Sequence, residues 1–312
     1  MDRIRRRTGL SAALAAVVAL VAGAGLAGCA GTASPDRPLV VVSTNILGDV
    51  VGEIVGDQAE VLVLMKPNAD PHSFEISARE AARLRSADLL VSNGLGLEEG
   101  LQKHLDAATR EGARTFVAGE AIDVLAYTDG DAAGAPDPHF WTDPARMRTV
   151  VDALEPVLAA TPGIDAARVR AGSDAYRDRL RELDAEMVAA FEAVPPAQRA
   201  LVTNHHVFGY LADRYGFSVV GAAIPGGTTL AAPSASDLAD LVAAMERTGV
   251  RTIFAESSAP DRLVRALAEE ADLQVDVVDL YTESLTDADG EAPDYLTMMR
   301  VNTERIARGL SP

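Results

Sequence analysis

Two Asp-Pro-His tripeptides stand in a chain with only five histidines: Asp70-Pro71-His72 in PNADPHSFE and Asp137-Pro138-His139 in GAPDPHFWTDP. Imidazole is the commonest protein ligand for metals. Proline fixes its own φ and restricts the residue before it, so a histidine that follows starts from a stiff loop. Stiffness lowers the entropic cost of holding a ring at a metal. The aspartate two residues earlier, Asp70 or Asp137, is a candidate acceptor for a ring N–H. The alternative is a Pro-Asp turn that happens to precede a histidine; a second occurrence weakens it. His205 and His206 follow the apolar run ALVT, whereas His104 sits among charged residues and reads as surface. Carboxylates are too abundant to be specific: Glu283 in DLYTESL, Asp279 beside it and Glu256 in FAESS all remain open on spacing. His72 and Glu75 form an H-x-x-E, as in some zinc carboxypeptidases, which keeps a zinc hydrolase as an alternative. GAAIPGGT lacks the lysine of a phosphate loop, and no G-x-S-x-G elbow is present.

These residues need elements to place them. PLVVVSTNIL reads as a first strand, GDVVGEIVG as a helix, AEVLVLMKP as a strand and SAREAARLRSA as a helix with a capping box from Ser77 to Glu80. DLLVSNG and ARTFVAG are strands on either side of the helix GLEEGLQKHLDAATREG. YTDGDAAGAPDPH breaks the rhythm as a loop, and DPARMRTVVDALEPVLAA resumes helix. A polar helix then runs over about 164–194 and stops at Pro195-Pro196. Its apolar stripe reads as short and interrupted, which argues against a coiled coil. Beyond it the alternation returns: strand RALVTN, helix HHVFGYLADRYG, strand FSVVGAAI, helix SASDLADLVAAMERTG, strand VRTIFAE, helix APDRLVRALAEEAD, strand LQVDVVDL and a closing helix. Strands alternating with helices predict parallel α/β sheets. The expected fold is α/β, with two lobes, 39–163 and 195–312, joined by the long helix 164–194. In such folds ligands gather at the carboxyl ends of strands, where His72, His139 and the pair His205 and His206 fall.

A net charge of −18 argues against nucleic acid, whose phosphates need lysine and arginine. The first 28 residues read as a signal peptide: a basic MDRIRRR, then a run of small and aliphatic residues. A membrane anchor is the alternative. LAGC, Leu26 to Cys29, resembles the bacterial lipobox, in which the cysteine is lipidated and becomes the N-terminus. Cys29 is the only cysteine, so it leaves none for a disulfide or a metal. Removal of residues 1–28, which carry a net +3, takes the charge to about −21, and 29–38 becomes a flexible tether.

The motifs together resemble the metal-binding lipoproteins of zinc and manganese ABC importers. The resemblance runs through STNILGDVVGEIVGD, KPNADPHSFEISARE, ADLLVSNGLGLEEGL, PDPHFWTDP, LVTNHHVFGYLADRYG, IFAESS and LYTESL. It implies two lobes with a metal between them and limited hinge motion. The ligands it implies are His72, His139, His205 rather than His206, and Glu283 rather than Asp279. Asp70, Asp137, Trp141 and Asp279 are candidates for supporting them. Three imidazoles and one carboxylate imply Zn²⁺, with Mn²⁺ or Fe²⁺ as the alternative; the short, histidine-poor loop before His139 departs from many zinc members. The implied partners are a permease and its ATPase subunit, and the expected setting is the outer face of a bacterial cell membrane, as a lipid-anchored monomer and not an enzyme. A surface adhesin, proposed for some relatives, has no support in the residues.

Overall fold

The computed structural model describes residues 37–128, 132–224, 226–230, 234–257, 265 and 275–311. The signal peptide, Cys29, most of the tether and, apart from Arg265, the helix expected over 259–272 lie outside the described residues.

Two four-stranded sheets, each wholly parallel, form the frame. The first holds β1 (Leu39–Val42), β2 (Glu60–Val63), β3 (Leu89–Ser92) and β4 (Thr115–Val117), in the order β2-β1-β3-β4. The second holds β5 (Ala200–Thr203), β6 (Ser218–Ala222), β7 (Thr252–Glu256) and β8 (Asp276–Leu280), in the order β6-β5-β7-β8. The same strand order recurs in both lobes, although the sequence shows no repeat beyond the tripeptide. Around the first sheet lie α1 (Asn45–Val55), α2 (Ala78–Arg85) and α3 (Gln102–Arg110). Then come α4 (Pro144–Ala159), the long α5 (Ala166–Glu192), α6 (Gly209–Tyr215), α7 (Ala235–Thr248) and α8 (Tyr295–Gly309). Among the described residues no helix is long and apolar enough to cross a membrane.

Period-two alternation lets each strand serve two cores. In β1, Leu39 and Val41 face an outer cluster with Leu84, Leu90, Leu101 and Leu105, while Val40 and Val42 face inward. In β7, Ile253 and Ala255 pack outward with Leu241 and Met245, and Phe254 points inward. The inward faces meet in one continuous core that runs through both lobes.

Three local expectations change. The opening strand stops at Val42, because the Thr44 hydroxyl accepts from Leu47 N and starts α1. The helix expected from His205 begins only at Gly209: His205 to Phe208 form a bent segment, and the Thr203 hydroxyl donates to His205 O at 2.5 Å. The stripe on α5 is not interrupted. Val169, Ser173, Tyr176, Leu180, Leu183, Met187 and Phe191 are all buried at helical spacing, with Ser173 filling the apparent gap. The 27 residues of α5 span about 40 Å. Asp165 caps the start by accepting from Ala167 N and Arg168 N. The helix is thus bedded along its length on α4, α8 and α1, which ties the lobes through buried apolar surface rather than through a free rod.

Candidate metal centre

Each of the two Asp-Pro-His segments folds into the same small turn. Asp70 Oδ1 accepts from His72 N at 2.8 Å, and Asp137 Oδ1 accepts from His139 N at 2.9 Å. An aspartate that caps its own backbone two residues on is the Asx arrangement, and proline between them holds the chain for it. The repeat is therefore one of local structure.

The surroundings differ. The His72 loop leaves β2 at the carboxyl edge of the first sheet, and Gly100 N donates to His72 O at 3.3 Å. The His139 loop is tied to β3 through Asn93, whose side chain donates to Pro138 O at 3.1 Å. Asn93 is itself set by Glu98. That buried carboxylate accepts from Ser43 Oγ at 2.6 Å, Asn93 N at 2.7 Å and Gly94 N at 3.0 Å. Burial pushes the Glu98 carboxyl up, against those three donors. Gly94 has φ of +78°, and a Cβ there would lie 2.3 Å from a Val117 methyl, so the turn after β3 requires glycine. The segment NGLGLEE is thus a bracket for the second histidine loop.

From the second lobe, His205 follows β5 and Glu283 follows β8. The Glu283 loop is held by the first lobe on both sides. Trp141 Nε1 donates to Thr282 O at 2.7 Å, Asn45 Nδ2 donates to Ser284 Oγ at 2.8 Å and Leu285 N donates to Asn45 Oδ1 at 3.0 Å. Tyr295 Oη on α8 donates to Trp141 O at 2.6 Å and completes the clamp.

These loops bring His72, His139, His205 and Glu283 together, all buried, with their ligand-forming atoms within 4.8 Å of one another. Glu283 Oε1 lies 3.1 Å from His72 Nε2, 3.1 Å from His205 Nε2 and 3.2 Å from His139 Nε2. The Nε2 atoms of His139 and His72 are 3.4 Å apart. Zinc–nitrogen bonds of about 2.0–2.1 Å place tetrahedral donors about 3.3–3.4 Å apart, so a small divalent ion fits among these four atoms. Glu283 Oε2 is buried with no hydrogen-bond partner, a second oxygen available to a cation.

The charge balance is that of a cation site. Burial alone would raise the Glu283 carboxyl, but the His205, His139 and His72 rings hold it well below the usual range. Burial alone would lower the His139 imidazolium, but Asp137 and Glu283 outweigh it and hold it at about 9. Asp137 Oδ1 is 2.8 Å from His139 Nδ1. It accepts a hydrogen bond from Nδ1–H, which leaves Nε2 to face Glu283: as an N–H in the metal-free imidazolium, and as a free donor atom once a metal displaces that proton.

The other expected positions divide. Asp137 supports a ring; Asp70 supports only the backbone and neighbouring hydroxyls. Trp141 packs edge-on to His139 at 5.3 Å between centroids and anchors Thr282. Asp279 is exposed on β8, where it pairs with Ala255 and its carbonyl accepts from Arg305 at 2.8 Å; strand alternation turns its side chain outward. Glu75 is exposed, so no second carboxylate from that position stands over the imidazoles as a hydrolase would need. His206 stays half-buried outside the cluster, its ring 6.3 Å from Tyr127. Tyr127 escaped the sequence reading, yet its hydroxyl lies 3.2 Å from His139 Nδ1. Glu99 escaped it too, with Oε1 3.8 Å from His72 Nδ1. The signal available for Tyr127 was an aromatic residue in an otherwise small and polar loop.

Comparison with known proteins agrees with this architecture. The family profile described as zinc-uptake complex component A, periplasmic, matches residues 40–309. The zinc-binding protein TroA of Treponema pallidum is 32% identical over 285 residues, covering 89% of this chain and 91% of TroA. A solved structure of TroA superposes with a TM-score of 0.80 at 28% identity, over 88% of this chain and 100% of that one. The manganese ABC transporter substrate-binding lipoprotein PsaA of Streptococcus pneumoniae is 27% identical over 284 residues, covering 89% and 91%. The iron-binding protein YfeA of Yersinia pestis is 27% identical over 270 residues, covering 86% and 85%. The parallel two-lobed fold, the buried four-donor cluster and the match over nearly all of the described chain place this protein in the zinc-uptake complex component A family of extracytoplasmic metal-binding proteins, which are binding proteins and not enzymes.

Proposed function

We propose that this protein captures Zn²⁺ outside the cytoplasmic membrane and hands it to an ABC permease driven by its ATPase subunit, with Cys29 carrying the lipid that holds it there. The observation that carries the cargo is the convergence of three Nε2 atoms on one carboxylate oxygen in a fully buried setting between the lobes. His72, His139, His205 and Glu283 act as the ligands. Three nitrogens and one carboxylate suit zinc in near-tetrahedral geometry, while Mn²⁺ prefers more oxygen. Mn²⁺, or Fe²⁺, is the second reading, favoured by the unpartnered Glu283 Oε2, which offers a bidentate carboxylate, and by the names of PsaA and YfeA. The lobes 39–163 and 195–312, with the long helix between them, act as walls of the site. The shared core along α5 favours small local adjustments over wide hinge opening.

The test is competition of Zn²⁺ and Mn²⁺ for the purified protein against a chelator of known affinity. One tight equivalent of Zn²⁺ is expected, with Mn²⁺ at least a hundredfold weaker. His72→Ala, His139→Ala and Glu283→Ala should each weaken zinc at least a hundredfold. Retention of wild-type affinity in two of these variants would sink the site; comparable Zn²⁺ and Mn²⁺ affinities would shift the cargo to manganese.

A further inference from the structure

One short segment of the second lobe reaches back to both histidine loops of the first. It is 226–230, GGTTL, beyond β6. Thr229 Oγ1 donates to Asp70 Oδ2 at 2.6 Å. The other oxygen of that carboxylate accepts from His72 N, and Oδ2 also accepts from Ser73 Oγ at 3.0 Å. Two residues before Thr229, Gly227 O accepts from Tyr127 Oη at 3.4 Å, and the same hydroxyl lies 3.2 Å from His139 Nδ1. His139 Nδ1 donates to Asp137 at 2.8 Å, and the phenol also hydrogen-bonds that carboxylate, so Tyr127 stands between the support of His139 and Gly227 O. The phenol packs so closely on the segment that a Cβ at Gly227 would lie 2.3 Å from Tyr127 Cε2. One strip of backbone therefore meets the supports of both first-lobe imidazoles.

We propose that 226–230 is a clasp across the mouth of the metal site, and that Thr229 and Tyr127 are positioning residues that set how fast the bound cation leaves. This inference rests on the metal-binding reading above. Neither side chain supplies a ligand atom. Thr229 ties the turn that carries His72 to the opposite lobe, and Tyr127 ties the loop that carries His139 to the same segment. A cation leaving between the lobes requires His72 and His139 to part from His205 and Glu283, and both ties resist that separation. Asp70 keeps its bonds to His72 N and Ser73 Oγ when Thr229 is changed, so the His72 loop stays folded while its link across the cleft is lost.

The test is stopped-flow transfer of Zn²⁺ from the loaded protein to excess chelator, with thermal unfolding of the metal-free variants alongside. A hydrogen bond to a carboxylate that is part-buried contributes enough that its loss changes a rate on the order of tenfold. Thr229→Val should release Zn²⁺ roughly tenfold faster, Thr229→Ser should restore the wild-type rate, and Tyr127→Phe should release several-fold faster, with metal-free unfolding temperatures unchanged. Release from both Thr229→Val and Tyr127→Phe at the wild-type rate would overturn the clasp while leaving the metal site intact. Equal acceleration in Thr229→Val and Thr229→Ser would also overturn it, since the hydroxyl would then be irrelevant. A wild-type protein that takes up no Zn²⁺ would overturn the metal-binding reading and the clasp together.

Discussion

Asp137→Asn separates two effects of one carboxylate. The change removes the charge behind His139 and keeps an oxygen in place, because His139 N donates to Oδ1 at 2.9 Å and pins that end of the side chain. The Nδ1 contact of 2.8 Å survives as a neutral hydrogen bond. The ring becomes a weaker donor to metal, by about 10- to 100-fold for loss of such a partner. The same loss also weakens the competing proton. In the wild type His139 is held at about 9, so at pH 7 the metal must displace a proton at a cost of roughly 3 kcal/mol, or about a hundredfold in affinity. In the variant Glu283 remains but the larger of the two carboxylate supports is gone, so the imidazolium moves down from about 9 and much of that cost disappears. At pH 7 the two effects oppose each other, and the variant should bind Zn²⁺ within about threefold of wild type. At pH 9.5 proton competition is small in both proteins, and nearly the full deficit of about 10- to 100-fold should appear. The assay is chelator competition on both proteins at each pH; the ratio of their affinities removes the chelator's own titration. A ratio that stays constant from pH 7 to 9.5, or shrinks as pH rises, would refute this reasoning. Asp279→Asn is the control for bulk charge and should change nothing, because that side chain is exposed and touches no ligand.

The metal-free protein should lose stability as pH rises. His139 has a raised pKa, so its contribution is complete below pH 6.5 and is lost as pH passes about 9; it amounts to at most about 3 kcal/mol. Thermal unfolding between pH 6.5 and 9.5 checks this, and His139→Gln should flatten the curve over that window. Trp141 is the only tryptophan and lies edge-on to His139, so zinc should alter the intrinsic fluorescence, and Trp141→Phe should abolish the signal. A Trp141→Phe protein should also bind Zn²⁺ several-fold more weakly through loss of the bond to Thr282 O. Leu183→Ala in α5, where the side chain is fully buried in the shared core, should cost about 2–5 kcal/mol by chemical denaturation.

The sequence and the structure part company along a clear physical line. Strand–helix alternation and capping residues act within a few positions of the chain, so the parallel sheets and the Ser77–Glu80 box were open to reading. The Asp-Pro-His turns are equally local: each aspartate bonds a backbone N–H two residues on. The direction of a side chain beyond such a turn is not local. Nothing in the tripeptide distinguishes Asp137, which reaches its ring, from Asp70, which instead receives Thr229. Tyr127, Asn45, Asn93 and Thr229 act on loops distant in sequence, through contacts that exist only once the lobes have assembled. The α5 stripe is hidden in the sequence for a related reason. Ser173 looks like a break in the sequence, but its small side chain is buried in the packed helix interface.

The central claim is that the chain binds zinc through three imidazoles and one carboxylate. X-ray absorption at the zinc edge, on protein carrying one equivalent of Zn²⁺, addresses it most directly. The account predicts three imidazole nitrogens at about 2.0–2.1 Å and carboxylate oxygen from Glu283 at about 2.0–2.2 Å, with one nitrogen lost in His205→Ala. A shell of five or six oxygens with at most one imidazole, unchanged in His205→Ala, would contradict it.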